Sequence, residues 1–81
     1  MPPRRNEQET VSRPLPLLYY ATYDANSNVE YQGWTDRGSA TSAAVWLIAK
    51  NTYSSGNLTK TEWASVGFDQ IWDNRTSLTY A

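Results

Sequence analysis

The chain has 81 residues, enough for one domain at most, and it contains no cysteine and no histidine. These absences exclude disulfide scaffolds, zinc fingers, cysteine nucleophiles and imidazole acid–base catalysis, because each of them needs a side chain that the sequence lacks. Seven basic and eight acidic residues give a net charge of −1, so no strong overall field attracts the protein to nucleic acid or to an anionic membrane.

Residues 1–16 differ in composition from the rest of the chain and are predicted to form an extended N-terminal arm. They contain all four prolines and none of the eleven aromatic residues. A segment with so few apolar side chains buries too little surface to fold alone. We expect this arm to bind a neighbouring subunit or another protein through five side chains: Arg4, Arg5, Val11, Arg13 and Leu15.

Residues 17–81 are predicted to form a β-rich domain that begins with two hairpins. In the first hairpin, the aromatic stretch LLYYATYD is followed by a polar turn at residues 25–28 and by the alternating strand VEYQGWT. In the second hairpin, AVWLIAKNTYS and LTKTEWA flank residues 55–57, where glycine or asparagine can adopt the positive φ of a tight turn.

The remaining segments predict short elements around these hairpins. Residues 36–38 favour a turn, and the following SATSAA is compatible with one helical turn. Phe68, Ile71 and Trp72 fall at helical spacing, which predicts a short helix before a last strand, SLTY. The predicted fold class is mainly β, a small β-sandwich or partial barrel of two hairpins plus a short C-terminal helical turn and strand.

The four tryptophans and six tyrosines divide between core and surface in our interpretation. Trp46, Trp63 and Trp72 have apolar neighbours in the sequence and are assigned to the core. Exposed rings on a small β domain can stack on sugars or on nucleic-acid bases. Residues 17–81 carry four basic and six acidic side chains, which opposes binding to a phosphate backbone. A glycan therefore stays as an alternative ligand. The candidates for a surface or interface are Trp34, Tyr31 and Tyr23.

Acidic residues offer two candidate metal or catalytic sites, and a structural interpretation is favoured for both. Asp69 and Asp73 are four residues apart and would share a helix face, but no third ligand has suitable spacing. The second candidate resembles the start of a calcium-binding loop, at Asp24, Asn26 and Asn28. The glycine and the bidentate glutamate of such a loop are missing from the residues that follow, so a polar hairpin turn is favoured. We predict no catalytic residue, no cofactor and no bound metal.

Two further features support a structural rather than an enzymatic interpretation. The run Asp73, Asn74 and Arg75 predicts a turn, from which the Arg75 guanidinium can reach a carboxylate. A serine or threonine nucleophile would need Lys50 or Lys60 as its base, and both lysines lie at polar, strand-like positions. The chain is therefore predicted not to be an enzyme.

Residues 31–80 contain a longer spaced pattern: Y-x-G, then A-T-S-x-A-x-W-x-I, then E-W-A, then F-D-x-x-W-D-N-R-x-S-L-x-Y. This pattern resembles that of a family of small bacteriophage proteins encoded among virion structural genes. The chain departs from the family pattern at residues 37–39 and 65–67, both of which are predicted loops. The resemblance implies a virion component and supplies no catalytic residue.

The expected function is that of a non-enzymatic accessory structural protein of a bacteriophage particle, located in the virion. It would be a capsid decoration protein or a neck or tail component that forms homo-oligomers and docks through its N-terminal arm. Its expected partners are other virion proteins and copies of itself, with no nucleic acid and no membrane. The alternative is a fibre-associated or free carbohydrate-binding adhesion module that uses exposed tryptophan and tyrosine.

Overall fold

A computed structural model describes residues 17–81 as an antiparallel sheet that the C-terminal segment covers on one face. Neighbouring strands follow the order β1-β2-β3-β4, and β5 pairs with the first residues of β3. The prediction of a mainly β domain with two hairpins and a C-terminal helical turn is confirmed. The elements are β1 Leu18–Tyr23, β2 Val29–Thr35, β3 Ala44–Ser54, β4 Asn57–Trp63, β5 Gln70–Ile71 and a 3₁₀ helix at Trp72–Ser77.

The predicted arm contacts fall on a part of the chain that is not described. Five residues lie outside the described range: Arg4, Arg5, Val11, Arg13 and Leu15. Their binding role stays a prediction.

Both hairpin turns are formed by polar or glycine residues that satisfy the turn geometry. In the first turn, Asp24 Oδ1 accepts hydrogen bonds from the backbone N–H groups of Asn26 at 2.8 Å and Asn28 at 3.0 Å. This Asx arrangement uses the carboxylate within the turn, and it agrees with the predicted polar hairpin turn. In the second turn, Ser55 and Gly56 have φ values of 53° and 82°, the two positive values that a type I′ turn requires.

The covered face of the sheet holds the core. Its buried members are Tyr31, Trp46, Ile48 and Trp72. The core assignment of Trp46 and Trp72 is confirmed, whereas that of Trp63 is wrong, because Trp63 is 41% exposed and lies on the opposite face. Partly buried apolar residues complete the covered face: Leu18, Ala64, Leu78 and Tyr80.

Gly33 allows the C-terminal segment to approach the sheet closely. A Cβ at this position would lie 2.6 Å from ring atoms of Trp72 and 3.0 Å from the Trp46 ring. The Trp72 ring therefore lies directly against the backbone of β2, where any side chain would displace it. Its centroid is 5.5 Å from that of Trp46 and 5.9 Å from that of Tyr20, so the core is built largely from aromatic contacts.

The C-terminal segment forms its elements at positions other than those predicted. Ile71 belongs to β5 and pairs with Ala44, so the helical spacing of apolar residues from Phe68 to Trp72 does not come from one helix. Backbone pairing with β3 outweighs the weak helix signal, and the 3₁₀ helix starts only at Trp72. The predicted last strand, SLTY, does not form; the residue after it, Ala81, exchanges backbone hydrogen bonds of 2.9 Å and 3.0 Å with Trp63.

The loop before β3 forms a turn where one helical turn was compatible with the sequence. The Ala43 N–H donates to the Ala40 carbonyl at 3.2 Å, which closes a single β-turn. The Ala40 carbonyl also accepts a 3.0 Å hydrogen bond from Trp46 Nε1. The loop thus satisfies the only polar atom of the buried Trp46 side chain.

Asp73, Asn74 and Arg75 lie in the 3₁₀ helix and link the C-terminal segment to this loop. The prediction that Arg75 reaches a carboxylate is not met among residues 17–81. Its guanidinium lies over the Trp72 ring at 4.7 Å from the centroid, and Nη1 donates to the Trp72 carbonyl at 3.2 Å. Asp73 pairs with Thr41, whose hydroxyl donates to the carboxylate at 3.2 Å and whose carbonyl accepts the Asp73 N–H at 3.1 Å.

Tyr80 closes the covered face near the end of the chain. Its hydroxyl donates to the Arg75 carbonyl at 2.7 Å, and its ring centroid is 5.8 Å from that of Tyr31. Burial, together with the neighbouring Tyr31, raises the pKa of Tyr80 to about 12, and the Arg75 charge offsets part of this rise. The hydroxyl therefore stays protonated, and able to donate, well above neutral pH.

Candidate functional site

The three predicted surface aromatics lie in three different environments. The prediction for Tyr31 is wrong, because this residue is 8% exposed and shares the covered face with Gly33. Side chains alternate along a strand, so Trp34 lies on the opposite, uncovered face. Tyr23 is 63% exposed at the end of β1. Of the three, only Trp34 is part of a larger surface feature.

Trp34 is the middle member of three aromatic rings that cross the uncovered face. Tyr19 of β1 pairs with Trp34 of β2, and their ring centroids are 5.5 Å apart. Trp63 of β4 lies on the other side, with its ring centroid 5.8 Å from that of Trp34 and an interplanar angle of 31°. We call Tyr19, Trp34 and Trp63 the aromatic row. It extends from one outer strand of the four-stranded sheet to the other.

Ala49 explains how two tryptophans separated by a whole strand come into contact. This residue of β3 pairs with Gln32 of β2 and with Trp63 of β4, so it lies on the uncovered face beneath the two rings. It is fully buried because Trp34 and Trp63 lean over it. A longer side chain at this position would hold the two rings apart.

The two outer members of the aromatic row are exposed to solvent, whereas Trp34 between them is half-buried. Tyr19 is 44% exposed and Trp63 is 41% exposed. Beyond Trp63, an open apolar cleft continues the surface between Leu47 and Val66, and Val66 is fully exposed. Contiguous exposed apolar surface of this kind marks interaction sites in folded proteins.

A chain of side-chain hydrogen bonds runs beside the aromatic row across all four strands. The Thr61 hydroxyl donates to Asn51 Oδ1 at 2.7 Å, and Asn51 Nδ2 donates to Gln32 Oε1 at 2.9 Å. Gln32 Nε2 then donates to the Tyr19 hydroxyl oxygen at 2.8 Å. We call Thr61, Asn51 and Gln32 the polar ladder. It ends on a member of the aromatic row and holds that ring in place.

The polar ladder and the aromatic row contain no charged side chain. Within the four long strands, the lysines and Glu62 alternate onto the other face, where Lys60 and Glu62 form a 3.6 Å ion pair. Glu30 shares the face of Trp34 by alternation but lies four residues away, in a polar recess at the turn end of the sheet that is also lined by Asp24, by Lys50 from the edge of the other face, and by Asn51 of the polar ladder. The centre of the uncovered face is therefore neutral.

The carboxylates that were weighed as metal or catalytic ligands are not brought together. Asp69 precedes β5 and Asp73 lies in the 3₁₀ helix, so they share no helix face. Among residues 17–81, no group of three or more Asp, Glu, His or Cys side chains is placed to hold a metal ion. The same residues include no helix that is long and apolar enough to cross a membrane.

No family model, no curated protein and no solved structure matches the chain.

The residues of the phage-like pattern have a clear structural distribution. Most of them build the covered side of the sheet, including the buried core and the contact between Thr41 and Asp73. Of the aromatic row, Trp63 belongs to the pattern, whereas Tyr19 and Trp34 do not. The pattern thus corresponds mainly to the scaffold, and most of the exposed row is additional to it.

Most of the residues that form the uncovered face were not predicted from the sequence. Alternation in VEYQGWT separates Tyr31 from Trp34 and groups Trp34 with Gln32, a signal that was available. The positions of Tyr19 and Trp63 depend on strand register, which the sequence pattern does not specify. The missed residues are Tyr19, Gln32, Asn51, Thr61 and Trp63.

Proposed function

We propose that the protein is a non-enzymatic accessory structural component of a bacteriophage particle. In this proposal it is a capsid decoration protein or a neck or tail component, present as a homo-oligomer and docked through residues 1–16. The observation that carries the proposal is the spaced pattern of residues 31–80, and the aromatic row adds a partly exposed surface on a sheet whose other face is already filled. Interfaces are enriched in tyrosine and tryptophan, and the pattern in residues 31–80 resembles that of virion proteins.

The size of the described domain supports a role within an assembly. A chain of this length buries only about 60% of its unfolded surface and is marginally stable without disulfides or metals. Binding to a neighbour stabilises the folded state by mass action. Symmetric copies of one small subunit are the commonest way for such a domain to gain that stabilisation.

The second candidate function is a fibre-associated or free carbohydrate-binding adhesion module. It is favoured by one specific feature, the position of the polar ladder directly beside the aromatic row, in which Tyr19 and Trp63 are exposed and Trp34 is half-buried. Aromatic stacking combined with uncharged hydrogen-bonding groups suits ligands that present both apolar and hydroxyl surfaces.

Quantitative mass spectrometry of purified phage particles tests the proposed function. A copy number comparable to that of the major capsid protein would support decoration of the shell. A small symmetric copy number would support a place in the neck, the tail or the fibres. Absence from the particles would contradict the proposal and favour a free binding module.

Deletion of residues 2–16 tests docking through the arm. We expect the truncated chain to fold, because the described sheet and core lie within residues 17–81, but to be lost from particles. A variant with lysine at Arg4, Arg5 and Arg13 keeps the charge and removes the guanidinium groups, so it separates simple attraction from specific arginine contacts. Normal incorporation of the truncated chain would contradict the docking role.

A further inference from the structure

The centre of the uncovered face combines exposed rings with neutral hydrogen-bonding groups. We propose that the aromatic row and the polar ladder form a binding site for a neutral oligosaccharide. In this site Trp34 and Trp63 provide the stacking surface, and the Tyr19 hydroxyl provides a directed hydrogen-bond donor. The inference deepens the proposed function and rests on it for one point, that docking through residues 1–16 leaves this face accessible in the particle.

The two tryptophans provide a surface suited to the C–H faces of sugar rings. The electron-rich face of an indole attracts the weakly positive hydrogens on the apolar side of a pyranose. The Trp34 and Trp63 rings are inclined to each other by only 31°, and contact across Ala49 restricts both. Because these rings are already ordered, a ligand loses little free energy in fixing them.

The polar ladder is a directional chain of hydrogen bonds that ends at Tyr19. Each hydrogen bond points the same way, from Thr61 through Asn51 and Gln32 to the Tyr19 hydroxyl oxygen. Since the Tyr19 oxygen accepts this hydrogen bond, its own proton is available for donation to a ligand. Successive hydrogen bonds polarise one another and strengthen the last donor. A sugar hydroxyl or ring oxygen beside Tyr19 supplies the acceptor that this donor needs.

The lack of charged side chains in the row and the ladder favours neutral ligands over anionic ones. No basic side chain belongs to the row or to the ladder, and Lys50, in the recess beside Asn51, is accompanied there by Asp24 and Glu30, so the site offers no net positive charge to a phosphate or a carboxylate. Glu30 lies on the same face by alternation and repels anions. Single-stranded nucleic acid and acidic glycans are therefore disfavoured, although both can stack on aromatic rings.

A second copy of the chain suits this face less well than a sugar. Two copies packed face to face would bury the Tyr19 hydroxyl proton and the second N–H of the Gln32 amide against rings and aliphatic side chains. A buried donor without an acceptor costs free energy. An oligosaccharide covers the rings and at the same time offers oxygen acceptors at both positions.

Calorimetry and tryptophan fluorescence with the full 81-residue chain test the proposal. The probes are neutral hexasaccharides of glucose and of N-acetylglucosamine, with hexagalacturonate and oligothymidylate as charged comparators. We expect at least one neutral probe to bind and to change the tryptophan emission, while the charged comparators do not. Trp34→Ala should lower the association constant roughly tenfold, the scale of one lost aromatic contact.

Matched variants separate loss of binding from loss of folding. Trp34→Phe keeps a ring and should keep part of the affinity. Tyr19→Phe keeps the ring but removes the hydroxyl proton, so it should weaken binding without lowering the melting temperature strongly. Tyr23→Ala removes an exposed aromatic side chain outside the row and should bind like the wild type.

Several outcomes would overturn the proposal. These are no binding to any neutral probe, equal binding to a charged comparator, and binding that Trp34→Ala and Tyr19→Phe leave unchanged in folded protein. Self-association in sedimentation that Trp34→Ala abolishes would assign the face to a second copy. If the chain is present in particles but binds no glycan, only this inference is contradicted. If the chain binds a glycan but is absent from particles, only the proposed virion function is contradicted.

Discussion

Substitution of Gly33 by alanine tests how the C-terminal segment packs on the sheet. The added Cβ would lie 2.6 Å from two ring atoms of Trp72, whereas carbon atoms normally pack about 3.5–4.0 Å apart. The Trp72 ring would have to retreat by roughly 1 Å, away from the Trp46 ring that it contacts. Overpacking of this kind costs about 1–3 kcal/mol, so we expect a loss of about 2–3 kcal/mol in the free energy of unfolding.

Urea denaturation followed by tryptophan fluorescence measures this loss. Gly67→Ala is the matched control, because an added Cβ there meets no atom within 4 Å and the backbone has no positive φ. We expect the control to change stability by less than about 0.5 kcal/mol. An alanine in a strand is otherwise mildly preferred to glycine by about 0.5–1 kcal/mol, so a neutral or stabilising Gly33→Ala would refute the close approach of Trp72.

Three further perturbations address the core, the uncovered face and the covered end of the sheet. Trp46→Ala should cost about 3–5 kcal/mol in urea denaturation, and an unchanged midpoint would exclude Trp46 from the core. Ala49→Leu should separate the Trp34 and Trp63 rings and weaken their far-ultraviolet exciton signal, and an unchanged circular dichroism spectrum would contradict the contact across β3. Because the pKa of Tyr80 is raised from 10.0 to about 12, its stabilising effect is complete below pH 10 and is lost as the pH rises through 12. After allowance for solvent screening of a half-buried group, the loss is roughly 1 kcal/mol; Tyr80→Phe should lack it, and an identical pH profile for that variant would contradict the assignment.

The strands and turns were predictable because their signals are local. Alternation identifies β2, and Gly56 with its polar neighbours identifies the β3–β4 turn. These features depend only on the conformations that a few adjacent residues can adopt. The class of fold follows from them, since two hairpins with apolar alternation have to bury one face against something.

The positions of the aromatic residues were only partly predictable because they depend on register. Trp63 has an alanine beside it and resembles a core residue in sequence, yet its pairing with Ala49 puts it on the uncovered face. A shift of one residue in the β3–β4 register would exchange these faces. The same limit applies to β5, because its pairing with β3 brings together residues that are distant in sequence and overrides a local helical spacing.

Small residues on the two central strands explain how two of the four tryptophans pack together on the covered face and the other two on the uncovered face. On the covered face, Gly33 leaves room for Trp72 to lie against β2 and contact Trp46. On the uncovered face, Ala49 leaves room for the other two rings to meet over β3. The second pair shields Ala49, and Asn51 beside it is buried with its amide hydrogen-bonded. The uncovered face is therefore ordered by its own contacts, so it can present exposed rings for recognition without needing a partner to fold.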